Sequence, residues 1–121
     1  MAKTFGGRIR TLRGERSMSQ RELARRVGTD HSYISKIEQG KERPSRPLVQ
    51  RLAEALETEP VELELAAGYV PGEYRKVILE KEEIRTLLEL AAGRELPPKF
   101  YAEIRRLVEK HDRVNVPVWL S

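Results

Sequence analysis

Between Gln20 and Ile37 the sequence sets polar and cationic side chains on a regular apolar frame. His31, Ser32, Ser35 and Lys36 fall at i, i+1, i+4 and i+5, on one side of a helix, while Ile34 and Ile37 fall on the other. An imidazole, two hydroxyls and an ammonium together offer hydrogen-bond donors and acceptors at reach lengths that suit base edges in a DNA major groove. Other chemistries lack their parts. The two histidines, His31 and His111, stand 80 positions apart, and there is no cysteine to supply a thiolate or a disulfide. No Gly-rich phosphate loop, H-E-x-x-H pair or nucleophile elbow is present. The neighbouring carboxylates Glu82 and Glu83 lie in a highly charged helical stretch and read as a solvated face. No catalytic, metal or cofactor site is expected.

The elements that must carry this face are helical. Phe5, Ile9 and Leu12 recur at four and three positions, which predicts a first helix over about 4–14, with Gly14 and Ser17-Met18 as its break. Ser19 opens a second helix, and Glu22 three residues on completes a capping-box pattern. Leu23, Ala24 and Val27 are its inner face, and Gly28 follows where a left-handed residue is wanted. Thr29 or Asp30 caps a third helix with Ile34 and Ile37 inward, ended by Gly40. Two short helices joined by a tight glycine turn, with small Ala24 allowing a close crossing, make a helix–turn–helix. A charged loop with two prolines spans 41–47. A fourth helix is expected to start near Pro47 with Leu48, Val49, Leu52, Ala53 and Leu56 inward. A fifth runs from Pro60 through Ala67 with Val61 and Leu65 inward, and Gly68 closes it.

The remainder reads as a second segment. Tyr69-Val70-Pro71-Gly72 is a hinge or linker, and 76–79 is either a short strand or the lead-in to a helix. Helical patterns follow over 81–92, with Ile84, Leu87, Leu88 and Ala91 on one face, and over 98–111, expected to bury Tyr101, Ile104, Leu107 and Val108. Val114, Val116, Val118 and Leu120 then alternate as in a β-strand, which Pro117 confines to an edge.

Length and charge agree with this division. At 121 residues the chain holds one small domain plus an extension. Its 6% aromatic content leaves Leu, Ile, Val and Ala to build the core. Residues 1–51 carry a net charge of +8 and residues 52–121 a net of −4, so the basic half is the one suited to a polyanion. No apolar run is long enough for a membrane span or signal segment, and a cytoplasmic, nucleoid-associated protein is expected.

The ordered run Ser19-Gln20-Arg-Glu-Leu23-Ala24-Arg-Arg-Val27-Gly28, then Tyr33-Ile34-Ser35-Lys36-Ile37-Glu38-Gln39-Gly40, Pro44-Ser45 and Leu52-Ala53-Glu-Ala-Leu56 resembles the lambda-repressor/Cro (XRE) family of prokaryotic DNA-binding proteins over about residues 4–68. The resemblance implies a mainly α chain: a five-helix DNA-binding domain over 1–68, whose second and third helices read DNA. Residues 69–121 follow as a small helical segment with a short terminal β-strand. It implies base contacts from His31, Ser32, Ser35 and Lys36. It implies phosphate contacts from Gln20, Tyr33, Gln39, Lys41 and Arg43, with Gln20 also bracing the reading helix. Arg13 and Glu38 match a structural pair between the first and third helices. Many relatives carry Gln or Asn where this chain has His31 and Ser32, so the preferred bases are not transferable.

One such unit reads about half a site, and two spaced by one turn of DNA, roughly 34 Å, read a palindrome. The expected function is a sequence-specific regulator of transcription, foremost a repressor, that binds double-stranded DNA as a homodimer paired through residues 69–121. An alternative is an antitoxin whose second segment binds a toxin or other protein. A second segment that completes the monomer core stands beside the dimer reading.

Overall fold

The computed structural model describes residues 4–112, and the chain divides into two compact units, Met1–Pro71 and Gly72–Ser121. The first contains α1 (Phe5–Glu15), α2 (Gln20–Val27), α3 (His31–Glu38), α4 (Arg46–Ala55) and α5 (Pro60–Ala66). The second contains α6 (Gly72–Glu80), α7 (Glu82–Ala92) and α8 (Pro98–Asp112). Among the described residues there is no strand, and the alternating segment 114–120 lies outside them. No described helix is long and apolar enough to cross a membrane.

Caps define the helices of the first unit. Thr4 Oγ1 accepts from Gly7 N at 3.0 Å, Ser19 Oγ from Glu22 N at 3.1 Å, Asp30 Oδ1 from Tyr33 N at 2.7 Å and Ser45 Oγ from Leu48 N at 3.4 Å. Three sequence expectations shift. Gly14 lies inside α1, and the break falls at Ser17, whose φ of 51° is left-handed. Pro47 is the second helical position of α4, because Ser45 is the cap. The Glu22 side chain does not complete the capping box: it pairs with Arg25 and with Arg26 Nε, the latter at 2.9 Å.

One core joins the five helices. Ile9, Leu12, Met18, Leu23, Ala24, Val27, Ile34, Ile37, Leu48, Val49, Leu52, Ala53, Leu56 and Leu63 are buried together. In α5 the inward residues are Leu63 and Glu64, whereas Leu65 is exposed and Val61 half-buried. The buried Glu64 carboxylate is matched by Arg46 Nη2 at 3.1 Å. Gly6 makes the closest approach: a Cβ there would stand 2.4 Å from Glu38 O and 2.5 Å from Ile37 O, so only hydrogen lets the first turn of α1 abut the end of α3.

In the second unit, residues 76–79 take the helical one of the two alternatives, within α6. The burial expected of α8 is not found: none of the described side chains of α6–α8 is buried. Leu107 is 69% exposed, Tyr101 and Val108 are exposed too, and Ile104 is half-buried. A separate helical unit of about this size has too little surface to bury. The end of α6 is nevertheless closed, because Arg85 Nη1 donates to Ile78 O at 2.8 Å and Leu79 O at 2.9 Å.

Two glycines of α1 make a paired test. Gly6→Ala meets backbone carbonyls that cannot rotate away, and is expected to destabilise the first unit by about 1–3 kcal/mol despite alanine's better helix propensity. Gly14→Ala has nothing within 4 Å and is expected to stabilise by about 0.5–1 kcal/mol. Thermal melts that moved in the same direction for both would contradict this packing.

Candidate nucleic-acid interface

The candidate surface is the outer face of α3, set by how α2 and α3 meet. Gly28 takes φ 77° and ψ 34°, the left-handed conformation that lets α2 end within one residue. Its N–H and that of Thr29 both return to Ala24 O, the latter at 2.9 Å. Arg51 Nε donates to Val27 O at 3.0 Å, taking up another carbonyl at that helix end. Two residues later Asp30 starts α3. The turn is therefore short and satisfied, and it fixes the angle at which α3 leaves.

Ile34 and Ile37 are buried, so the opposite side of α3 faces out. His31 and Ser32 are exposed in its first turn, and Lys36 is exposed one turn on. Ser35, on the same side, is half-buried, and its Oγ accepts from Gln39 Nε2 at 2.8 Å. Tyr33 is half-buried and packs against the core. The structure thus brings the four expected base-reading residues onto one patch, with Gln39 at its end.

Behind this patch lies a buried ion pair. Glu38, the last residue of α3, has a fully buried side chain. A carboxylate there is repelled by the negative end of the helix dipole and stripped of water. Arg13 offsets both costs with a two-pronged contact, Nε to Oε2 at 2.8 Å and Nη2 to Oε1 at 3.0 Å. A third prong, Arg13 Nη1, donates to Met18 O at 2.9 Å in the link between α1 and α2. Gln20 Nε2 reaches Glu38 Oε1 at 3.1 Å, and Arg10 Nε lies 3.4 Å from the same oxygen. Burial pushes the Glu38 carboxyl up, but the hydrogen bonds from Arg13 and Gln20, with the Arg13 charge and the Arg10 hydrogen bond, outweigh it and hold it below the usual carboxylate range. Glu38 raises the Arg13 guanidinium in return, against the opposing effect of burial. Gln20 thereby ties the start of α2 to the last residue of α3.

The loop after α3 separates the two expected backbone-gripping cations. Lys41 is exposed, with its N–H on Lys36 O at 2.8 Å and no ion pair among the described residues. Arg43 is placed differently from expectation: Nε donates to Ala67 O at 2.9 Å and Nη2 to Gly68 O at 3.1 Å, at the end of α5. On α2, Arg25 and Arg26 pair with Glu22, and on α1 Arg8 pairs with Glu62. Among the described residues no group of three or more acidic or histidine side chains could hold a metal ion.

The family described as "Helix-turn-helix domain" matches residues 4–66, the span of α1–α5. The chain belongs to that family, in its lambda-repressor/Cro-like form. This helix-turn-helix protein is similar to the HTH-type transcriptional repressor RghR of Bacillus subtilis (strain 168), 36% identical over 98 residues, covering 74% of this chain and 73% of RghR. It is 32% identical over 98 residues to the immunity repressor protein of Bacillus phage phi105, covering 74% of this chain and 68% of that protein. Both relatives are named as repressors, not as enzymes. Among solved structures, a chain of the SinR protein/SinI protein complex matches with a TM-score of 0.50 and 21% identity over 92% of this chain and 100% of that chain, a likeness of fold alone.

Sequence reasoning missed three structural supports of this surface: the close approach at Gly6, the Arg51 contact to α2, and the use of Arg43 within the fold. The paired glycines after Phe5, in an otherwise good helix former, were the one available signal for the first.

Because the Glu38 pKa is lower folded than unfolded, its ionised form adds stability above the usual carboxylate range, and that stability is lost as pH falls through the depressed value. Glu38→Gln is expected to cost about 1–3 kcal/mol at neutral pH and to flatten the acid limb of stability measured by urea unfolding. Equal acid limbs for the variant and the wild type would contradict this role.

Proposed function

We infer that this protein is a sequence-specific repressor that occupies double-stranded DNA, with α3 in the major groove. The observation that carries the reading is the exposed set His31, Ser32 and Lys36 on a helix whose far side is buried and whose end is clamped through Glu38. Ser35 joins His31, Ser32 and Lys36 in reading bases. Gln20, Tyr33, Gln39 and Lys41 meet phosphates, and Arg43 serves the grip mainly by shaping the loop. The repressor names of its relatives support the same direction.

A homodimer is the second part of the reading, with the DNA-binding domain ending near Gly68 and the rest pairing two copies. Support comes from an apolar groove of about 370 Å³ in the second unit, between α7 and α8, lined by Ile84, Leu87, Leu88, Phe100, Tyr101 and Ile104. A second copy is the occupant this reading takes. Glu82, Glu83 and Glu89 against Arg85 leave α7 net acidic, and Lys99, Arg105, Arg106 and Lys110 against Glu103, Glu109 and Asp112 leave α8 slightly basic, with Arg105 already paired to Glu109. A two-fold arrangement that sets α7 of one copy on α8 of the other therefore covers apolar surface without setting like charges together. The antitoxin alternative would place a different protein in this groove.

His31→Ala and Lys36→Ala are expected to relax base preference at one position each, costing about 1–3 kcal/mol on the preferred site. Lys41→Ala is expected to weaken binding to all sequences alike. Binding titrations in which Lys41→Ala changed base preference and His31→Ala did not would reverse these roles. A chain ended at Gly72 is expected to stay folded, sediment as a monomer and bind DNA weakly. A dimer on sedimentation would contradict pairing through the second unit.

A further inference from the structure

Resting on the DNA-binding reading above, we propose that Tyr69 is a positioning residue for the DNA grip, holding the loop that presents Lys41 to a phosphate. It lies just after α5 and beyond the span matched by the family, which ends at residue 66.

The geometry is a staple between the end of α5 and the loop from α3 to α4. Tyr69 Oη donates to Pro44 O at 2.8 Å. The Arg43 guanidinium lies over the Tyr69 ring at 4.0 Å from its centroid, a cation–π distance, while the same guanidinium holds Ala67 O and Gly68 O. Arg46 stands 5.7 Å from the ring centroid and pairs with buried Glu64. Gly68 takes φ 85°, the turn that brings Tyr69 back onto the loop. Pro44 is among the fully buried residues, so the far end of the loop is seated.

The near end is seated as well. Gly40 has φ 78°, and the Lys41 N–H returns to Lys36 O. Lys41 is thus held between a glycine turn tied to the reading helix and a proline tied to Tyr69. The loop has no secondary structure of its own from Glu42 to Ser45. Remove the Tyr69 contacts and the outer end of the loop keeps only the Arg43 bonds to Ala67 O and Gly68 O and the seat of Pro44, so Lys41 is held less closely. A cation that wanders remains attracted to DNA but spends less of its time at a phosphate, so it releases less counterion on average.

The test is the salt dependence of full-length protein binding to a random-sequence duplex, with helicity and thermal melting recorded for each variant. Tyr69→Leu removes both ring and hydroxyl; Tyr69→Phe keeps the ring and the fold and removes only the bond to Pro44. Tyr69→Leu is expected to bind several-fold more weakly. Its log–log salt slope is expected to be shallower by up to about 0.9 per DNA-binding unit, the value for one lost phosphate contact. Tyr69→Phe is expected to move both quantities in the same direction by less. Lys41→Ala should lower the slope by the same amount, and adding Tyr69→Leu to it should lower the slope no further. Wild-type slopes in both Tyr69 variants, or Tyr69 and Lys41 effects that add in full, would overturn the proposal. A purely structural Tyr69 would lower the melting temperature and leave the slope alone. Wild-type protein without salt-sensitive duplex binding would instead defeat the DNA-binding reading itself.

Discussion

A carboxylate with no access to water sits at the end of α3, and much of the first unit is arranged around it. Glu38 is unfavourable where it stands unless Arg13 arrives from α1 and Gln20 from the start of α2. Each partner belongs to a different helix, so satisfying one charge fixes three elements against each other. Arg13 extends the same constraint to the α1–α2 link through Met18 O. Hydrophobic burial supplies the stability of such a core, but it is non-directional. The charged network and the Gly6 approach supply direction: they set where α3 ends and how far its outer face projects.

In the proposed reading, that frame is what allows the base-reading residues to be small and polar. Ser32 and Ser35 have short reach, and a short side chain can read a base only if the helix beneath it is placed closely. The turn from Val27 to Asp30 gives the angle, Glu38 the position and the core the depth. Long cations remain for the backbone grip, where tolerance is wider.

Much of this was legible in the sequence because local chemistry and global fold agree. Ser19, Gly28, Asp30, Gly40 and Pro60 each mark a boundary through a backbone requirement that few residues meet. The apolar residues of α1–α4 lie where their period puts them. In α5 the period misled: seven residues are too few to separate Leu63 from Val61 and Leu65 by pattern, and a buried Glu64 looks polar until Arg46 is seen beside it. Arg43 illustrates a further limit. An arginine in a loop beside a reading helix looks like a phosphate ligand, and only the returning carbonyls of Ala67 and Gly68 reveal its work inside the fold. The helices over 82–92 and 98–112 follow their amphipathic period, and their apolar stripes stand exposed or half-buried. A stripe says that a surface will be covered, not by what.

The most direct test of the central claim is selection of bound sequences from random duplex DNA by the full-length protein at a stated, near-physiological salt. The account predicts recovery of a two-fold symmetric site whose half-sites lie about one helical turn apart, with base preference concentrated where the first turns of two α3 helices would sit. Salt-sensitive binding to every duplex with no recovered consensus would contradict it, leaving the basic unit as an electrostatic grip without sequence readout.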